Sequence, residues 1–339
     1  MSTHRPDIRE KIIPGWHNRP HKTGLRIKQM QIISGITDFQ LYTKTAVAIG
    51  KFDGVHLGHR KLIDMIIDRA SADPDVKSVV FTFNPSPESL FAGHALPELT
   101  TVSEKRGIFR RLGVDILIEF PMNAETAAIK AEDFISEYMV RKMKAVYIVA
   151  GSDLTFGDKG FGNADTLRAG CDKFGYECNI TDKINYDGEP ISSTRIRDAI
   201  EAGNMELATA LLGSPYRITG VVSHGRKLGH TIGMPTANVI IAPDKLTGPN
   251  GVYYSRVYLA DGDYPAISNV GVKPTVIEDE LLCCESFIYD FDKDIYGSPI
   301  EVELLKFVRP EMKFDSVEEL KAQMEADIAG GREYDGLSD

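Results

Sequence analysis

The run Ala46-Val47-Ala48-Ile49-Gly50-Lys51-Phe52-Asp53-Gly54-Val55-His56-Leu57-Gly58-His59-Arg60-Lys61-Leu62 constrains this chain more than any other stretch. An apolar segment ends in a glycine, a short loop carries His-x-Gly-His, and apolar positions then recur at helical spacing through Leu62, Met65 and Ile66. The pattern predicts a strand, a turn and a helix start. Glycines at Gly50, Gly54 and Gly58 let the backbone approach a ligand closely, and the first free N–H groups of the helix offer an anion site. His56 and His59, placed there, can donate to phosphate oxygens as negative charge builds up.

Around this stretch the pattern alternates strand and helix. Strands are predicted at Thr45 to Gly50, Ser78 to Phe83, Asp115 to Phe120 and Ala145 to Ala150, with helices at Glu104 to Leu112 and Ala124 to Lys144. Such alternation implies a parallel sheet covered on both faces, with ligands beyond the carboxyl ends of the strands. A short helix ending at Gly213 is followed by Ser214-Pro215, a hinge signal. Thereafter short β-rich runs at Tyr216 to Ser223, Val252 to Leu259, Tyr264 to Val270, Glu285 to Phe291 and Ile300 to Val308 are split by Gly, Pro, Asn and Asp turns. They predict a small antiparallel barrel, closed by a helix through Val317, Leu320, Met324 and Ile328 that Asp315 or Ser316 caps.

Three further segments carry chemistry. Gly151-Ser152-Asp153-Leu154-Thr155-Phe156-Gly157 follows a predicted strand. Ile191-Ser192-Ser193-Thr194-Arg195-Ile196-Arg197 opens a helix with natural caps and a fixed charge suited to phosphate. Gly220 to Asn238 holds glycines at Gly225, Gly229 and Gly233 before Met234-Pro235-Thr236-Ala237-Asn238. Thr236 and Asn238 are alternate residues of one extended segment, so both oxygens face one side, which taken alone is an ordinary strand start.

These segments resemble the prokaryotic bifunctional riboflavin kinase/FAD synthetase family. Gly50 to His59 looks like the first signature of the nucleotidyltransferase superfamily, Ser192 to Arg197 like its second, and Gly151 to Gly157 like G-x-[DN]-F-x-F-G with Leu154 in place of phenylalanine. Gly233 to Asn238 resembles the riboflavin kinase core G-x-P-T-A-N. Asn269-Val270-Gly271-Val272-Lys273-Pro274-Thr275 and Glu285 to Phe291 resemble its two later motifs. The chain departs from the family at Asn84, His230, Met234, Lys273 and Phe287; an arginine replaced by His230 is expected to weaken nucleotide affinity or make it pH-dependent.

The resemblance implies an α/β plus β architecture. An N-terminal Rossmann-like nucleotidyltransferase domain over residues 30–200 and a linker at 201–215 precede a riboflavin kinase barrel with a C-terminal helix at 216–332. A polar, disordered extension at 1–29 and a tail at 333–339 flank them. It also implies two reactions, riboflavin to FMN in the second domain and FMN to FAD with release of pyrophosphate in the first, with ATP as co-substrate and Mg²⁺ as cofactor. His56, His59 and Arg197 would stabilise adenylyl transfer and Glu285 would take the riboflavin hydroxyl proton. Nucleotide contacts would come from Gly50, Phe52, Asp53, Gly54, Gly58, Asp153, Ser192, Ser193 and Thr194 in one domain and Gly225, Gly229 and Gly233 in the other, with Thr236 and Asn238 on the metal. Two readings remain beside it: adenylyl transfer alone, with a weakened kinase, and a flavin- or nucleotide-binding regulator without turnover.

Composition narrows the remainder. The chain of 339 residues, 42% hydrophobic and 26% charged, suggests about two globular domains. Its net charge of -10 argues against a nucleic-acid or membrane partner, so any anion site must be local. Cys171, Cys178, Cys283 and Cys284 show no metal-ligand spacing and read as reduced thiols of a cytoplasmic protein. No G-x-x-x-x-G-K-[ST] or G-x-G-x-x-G follows the first strand, which disfavours a P-loop kinase or a dinucleotide dehydrogenase. Oligomeric state is not legible.

Overall fold

A computed structural model describes residues 29–223, 234–274 and 280–337, with only the backbone described at 273, 274 and 280. The predicted extension therefore lies almost wholly outside the described residues, as do Gly225, Gly229, His230 and Gly233. The chain divides after Ser193 into two compact units.

The first unit is built on six strands: β1 (Gln31–Ser34), β2 (Lys44–Ile49), β3 (Val76–Asn84), β4 (Ile116–Pro121), β5 (Ala145–Gly151) and β6 (Glu177–Thr181). All pair in parallel in the order β1-β4-β3-β2-β5-β6. Both faces are covered, as near-continuous apolar strands require. Val47 and Ile49 of β2 join one core cluster with Phe81, Phe120, Phe134 and Leu167. Ala46 and Ala48 join the other, against Leu62, Ile63 and Ile66 of helix α1 (Leu57–Ala72). Small alanines on that face let the helix lie close to the strand. The strand order reverses between β2 and β5, so the crevice beyond their carboxyl ends is the switch point of the sheet.

The single helix expected over Ala124 to Lys144 is broken. Asn123 and Thr126 cap a short turn at Ala124–Ala127, Ala131–Asp133 makes another, and Phe134–Lys142 winds wider, with Met143 N donating to the Tyr138 carbonyl at 2.9 Å. The break is held by the neighbouring hairpin. Asp158 N donates to the Ile129 carbonyl at 2.7 Å, and Gly157, at φ +74°, lies so close to Ala131 that a Cβ there would be 2.8 Å from its backbone.

Helix α2 (Ser193–Glu201) starts at the last residue of the first unit, and the second unit runs from Thr194 through the rest of α2 and α3 (Met205–Leu212) into six antiparallel strands. These are β7 (Tyr216–Val221), β8 (Ala237–Ile240), β9 (Gly251–Leu259), β10 (Gly262–Pro274), β11 (Glu280–Ile288) and β12 (Pro299–Pro310), ordered β7-β12-β9-β10-β11-β8. Ser223 N donates to the Asn238 carbonyl at 2.8 Å, which brings the two ends of the sheet together into a nearly closed barrel. Its interior holds Tyr253, Val257, Val270, Val302 and Leu304, and a file of hydroxyls, Ser255 to Ser268 to Ser286, each 2.7 Å from the next. Helix α4 (Val317–Tyr334), capped by Ser316, packs Ile328 on the outer face beside Val252, Ile267 and Tyr289. Gly330 and Gly331 leave room there for the hydroxyls of Tyr254 and Tyr289. Among the described residues no helix is long and apolar enough to cross a membrane.

Candidate functional site

In the first unit the loop after β2 takes a conformation that most residues avoid. Phe52 (φ 52°), Gly54 (φ 77°) and Val55 (φ 43°) all lie in the left-handed region. That costs about 1–2 kcal/mol for each side-chain-bearing residue. Phe52 and Val55 are fully buried, and the burial of such side chains offsets a cost of this size. Hydrogen bonds hold the rest: Leu99 N to Asp53 Oδ1 at 2.8 Å, Gly54 N to Thr100 Oγ1 at 3.1 Å, Thr82 Oγ1 to the Lys51 carbonyl at 3.0 Å, and Ser193 Oγ to the Asp53 carbonyl at 3.1 Å. Asp53 and Ser193 are thus part of the loop's scaffold.

The loop delivers His56 to the N-cap of α1, where its Nδ1 accepts from His59 N at 3.3 Å. An accepting Nδ1 puts the ring proton on Nε2. The His56 and His59 rings stack with centroids 3.6 Å apart and planes 16° from parallel, and Phe52 meets His59 edge-on at 5.2 Å. Gly58 gives this stack room, because a Cβ there would lie a tight 3.1 Å from the His56 ring. Burial pushes the ionisation of His56 down to about 4; Asp153 opposes this, while Arg60 and Lys183 add to it. Burial, then the neighbouring His56 and Lys105, drive His59 well below the ordinary imidazole range. Both rings are neutral near pH 7, and His59 Nδ1 is buried without a hydrogen-bond partner among the described residues.

Asp153 follows β5 on the other side of the crevice and pairs with Lys183 at 2.9 Å. Leu154 packs half-buried against the core cluster that contains Phe156, so the leucine fills its place in the wall. The structure gathers Gly50, Phe52, Asp53, Gly54, His56, Gly58, His59, Asp153, Ser192 and Ser193 into the first unit, while Thr194 and Arg197, on α2, fall in the second. Sequence reasoning missed Lys183, Lys105 and Thr100, which belong to no motif and are brought in by the sheet topology alone.

In the second unit, strand register sets Asn238, Glu285 and Asn269 side by side on one face of β8, β11 and β10. Asn238 is buried and its Nδ2 donates to the Thr236 carbonyl at 3.0 Å and to Thr236 Oγ1 at 3.3 Å. Asn269 Nδ2 donates to Glu311 Oε1 at 3.2 Å. Just beyond Glu311 opens a groove of about 410 Å³ lined by Met312, Lys313, Phe314, Glu319, Ala322 and Gln323. Phe287, on the same face as Glu285, lies in the apolar cluster with Val252, Ile267 and Tyr289. Met234, where the resembling family has phenylalanine, is buried. Gly225, Gly229 and Gly233 lie outside the described residues.

Residues 39–195 match a family model described as FAD synthetase, and residues 212–334 match one described as riboflavin kinase. A bifunctional riboflavin kinase/FMN adenylyltransferase of Bacillus subtilis is 35% identical over 84% of this chain and 90% of its own length. One of Escherichia coli is 35% identical over 91% of this chain and 99% of its own. The crystal structure of a macrolide-efflux protein from Streptococcus pneumoniae, 34% identical, superposes with a TM-score of 0.79 over 89% of this chain and 98% of that one.

Proposed function

Because this chain belongs to the family of bifunctional riboflavin kinase/FMN adenylyltransferases and carries a domain for each activity, we infer that its two units divide the conversion of riboflavin to FAD between the sites described. The observation that carries the reading is the stacked, neutral pair His56 and His59 at the helix start beside the switch point of the sheet.

In the first unit the FMN phosphate attacks the α-phosphorus of ATP and pyrophosphate leaves. FMN already carries the nucleophilic oxyanion, so the protein has no proton to remove and acts by position and electrostatics. His56 offers the Nε2 hydrogen to a phosphate oxygen, and the cap that fixes its tautomer keeps that hydrogen in place. His59 lies against it, held by Phe52. Gly50, Gly54 and Gly58 shape the backbone cradle and Asp153 acts on His56 beside it; for Ser192, Thr194 and Arg197 the phosphate-recognition role is the one the second motif implies.

In the second unit the riboflavin 5′-hydroxyl attacks the γ-phosphorus of ATP, and Glu285 takes the hydroxyl proton. Mg²⁺, when bound, neutralises charge developing on the phosphates. Thr236 and Asn238 fit such an ion as hard oxygen donors; the Asn238 amide, whose nitrogen faces Thr236 here, would turn its oxygen to the hydroxyl.

Purified chain supplied with riboflavin, ATP and Mg²⁺ is expected to form FMN and then FAD in a chromatographic time course, and a run started from FMN to form FAD directly. FAD from the second run alone would leave a single-activity enzyme; FAD from neither would refute the reading.

A further inference from the structure

Neutral imidazoles give a polyphosphate hydrogen bonds but no positive charge, and the chain as a whole is acidic. Three cations act on the two rings: Arg60 and Lys183 on His56, and Lys105 on His59. Lys105 is committed to Glu98 in a buried pair at 2.7 Å, and its departure would leave that carboxylate buried and uncompensated. Arg60 Nε donates to the Val55 carbonyl at 3.0 Å, bracing the left-handed turn.

Lys183 differs from both. It follows β6, and Ser152 N donates to the Thr181 carbonyl at 3.0 Å, which fastens its loop to the turn bearing Asp153. Its side chain is 43% exposed and its partner Asp153 is 62% exposed, at 2.9 Å. Exposed pairs of this kind are weak and exchange readily for a better anion. A phosphate with several charged oxygens is such an anion, and an ammonium bonds it in any of several orientations.

We propose that Lys183 is a phosphate-binding residue of the first unit, resting on Asp153 and passing to a phosphate of ATP or of FMN when substrate enters. The proposal rests on the adenylyl-transfer reading given above. It supplies the charge that the histidine pair lacks, and it frees the Asp153 carboxylate at the same moment.

The test uses the full chain with Lys183→Met and Lys183→Arg. In the Met variant KM rises roughly ten- to a hundredfold, the loss of one charge-assisted hydrogen bond. The rise appears for ATP if the lysine takes its phosphates and for FMN if it takes the flavin phosphate. FMN formation from riboflavin stays at the wild-type rate, and the Arg variant recovers most of the loss. A Met variant whose KM values for ATP and FMN both stay within about twofold of wild type overturns the proposal, as does an equal loss in both reactions or a loss that arginine does not reduce. A wild-type chain that makes no FAD from FMN overturns the functional reading itself.

Discussion

At His56 the ring nitrogen that caps α1 also fixes the remaining ring hydrogen on Nε2, and protonation of Nδ1 would end the cap. The folded state holds this ring neutral down to about 4, below the ordinary value of 6.5. Between those values the unfolded chain binds a proton and the folded chain does not, so stability is full above the upper value and falls as the pH drops toward the lower one. The contribution is about 3 kcal/mol for this group. Denaturant titration should show the first unit weaker at pH 5 than at pH 7, and a His56→Asn variant, which can still cap, should flatten that slope; an equal slope in the variant would reject the assignment. The sequence treated the three loop glycines alike, and the structure separates them. Gly54 needs its positive φ and a Cβ at Gly58 would crowd the His56 ring at 3.1 Å, whereas a Cβ at Gly50 would make only ordinary contact with the Phe52 ring at 3.4 Å. Gly54→Ala is accordingly expected to cost about 1–2 kcal/mol in thermal unfolding and to slow FAD formation, with Gly50→Ala much milder.

The strongest elements were legible from pattern because their burial is one-sided or complete. Strands β2 to β5 are continuous apolar runs and α4 has a clear stripe and cap. Strands β1 and β6 were missed: each lies at a sheet edge, half-exposed, with polar residues interrupting the run. The broken helix before β5 was misjudged because its break depends on Asp158 and Gly157 of a later hairpin, which no local window contains. In the second unit α4 is fastened by Arg309 and Asp327, paired bidentately, with Gln323 also donating to Asp327 at 2.9 Å. Asp327→Ala strands a largely buried guanidinium and should cost about 3 kcal/mol. Hydrogen exchange over 317–334 measures the effect; unchanged protection would show that Ile328 and its neighbours hold the helix without the pair.

For the whole molecule, two sites imply that their losses are separable. His59→Ala should abolish FAD formation while FMN still accumulates, and Glu285→Gln should lower riboflavin phosphorylation by roughly two to four orders of magnitude with ATP binding retained. A mixture of the two variants should then carry riboflavin through to FAD, as FMN made by one chain reaches the other; a mixture that stops at FMN would mean that product does not leave its own chain. The motifs were legible as sequence patterns, but the alignment of Asn238, Glu285 and Asn269 was not, because only strand register sets it.

The parallel sheet also orders events in time. Central strand β2 takes one neighbour from β3, which follows it closely, and the other from β5, which begins only at Ala145. No tight hairpin can supply either ladder, since parallel neighbours require crossovers. On a ribosome, therefore, the histidine loop emerges early but its crevice has only one wall until β5 follows, so a nascent chain halted before that strand would display the signature residues without a site around them.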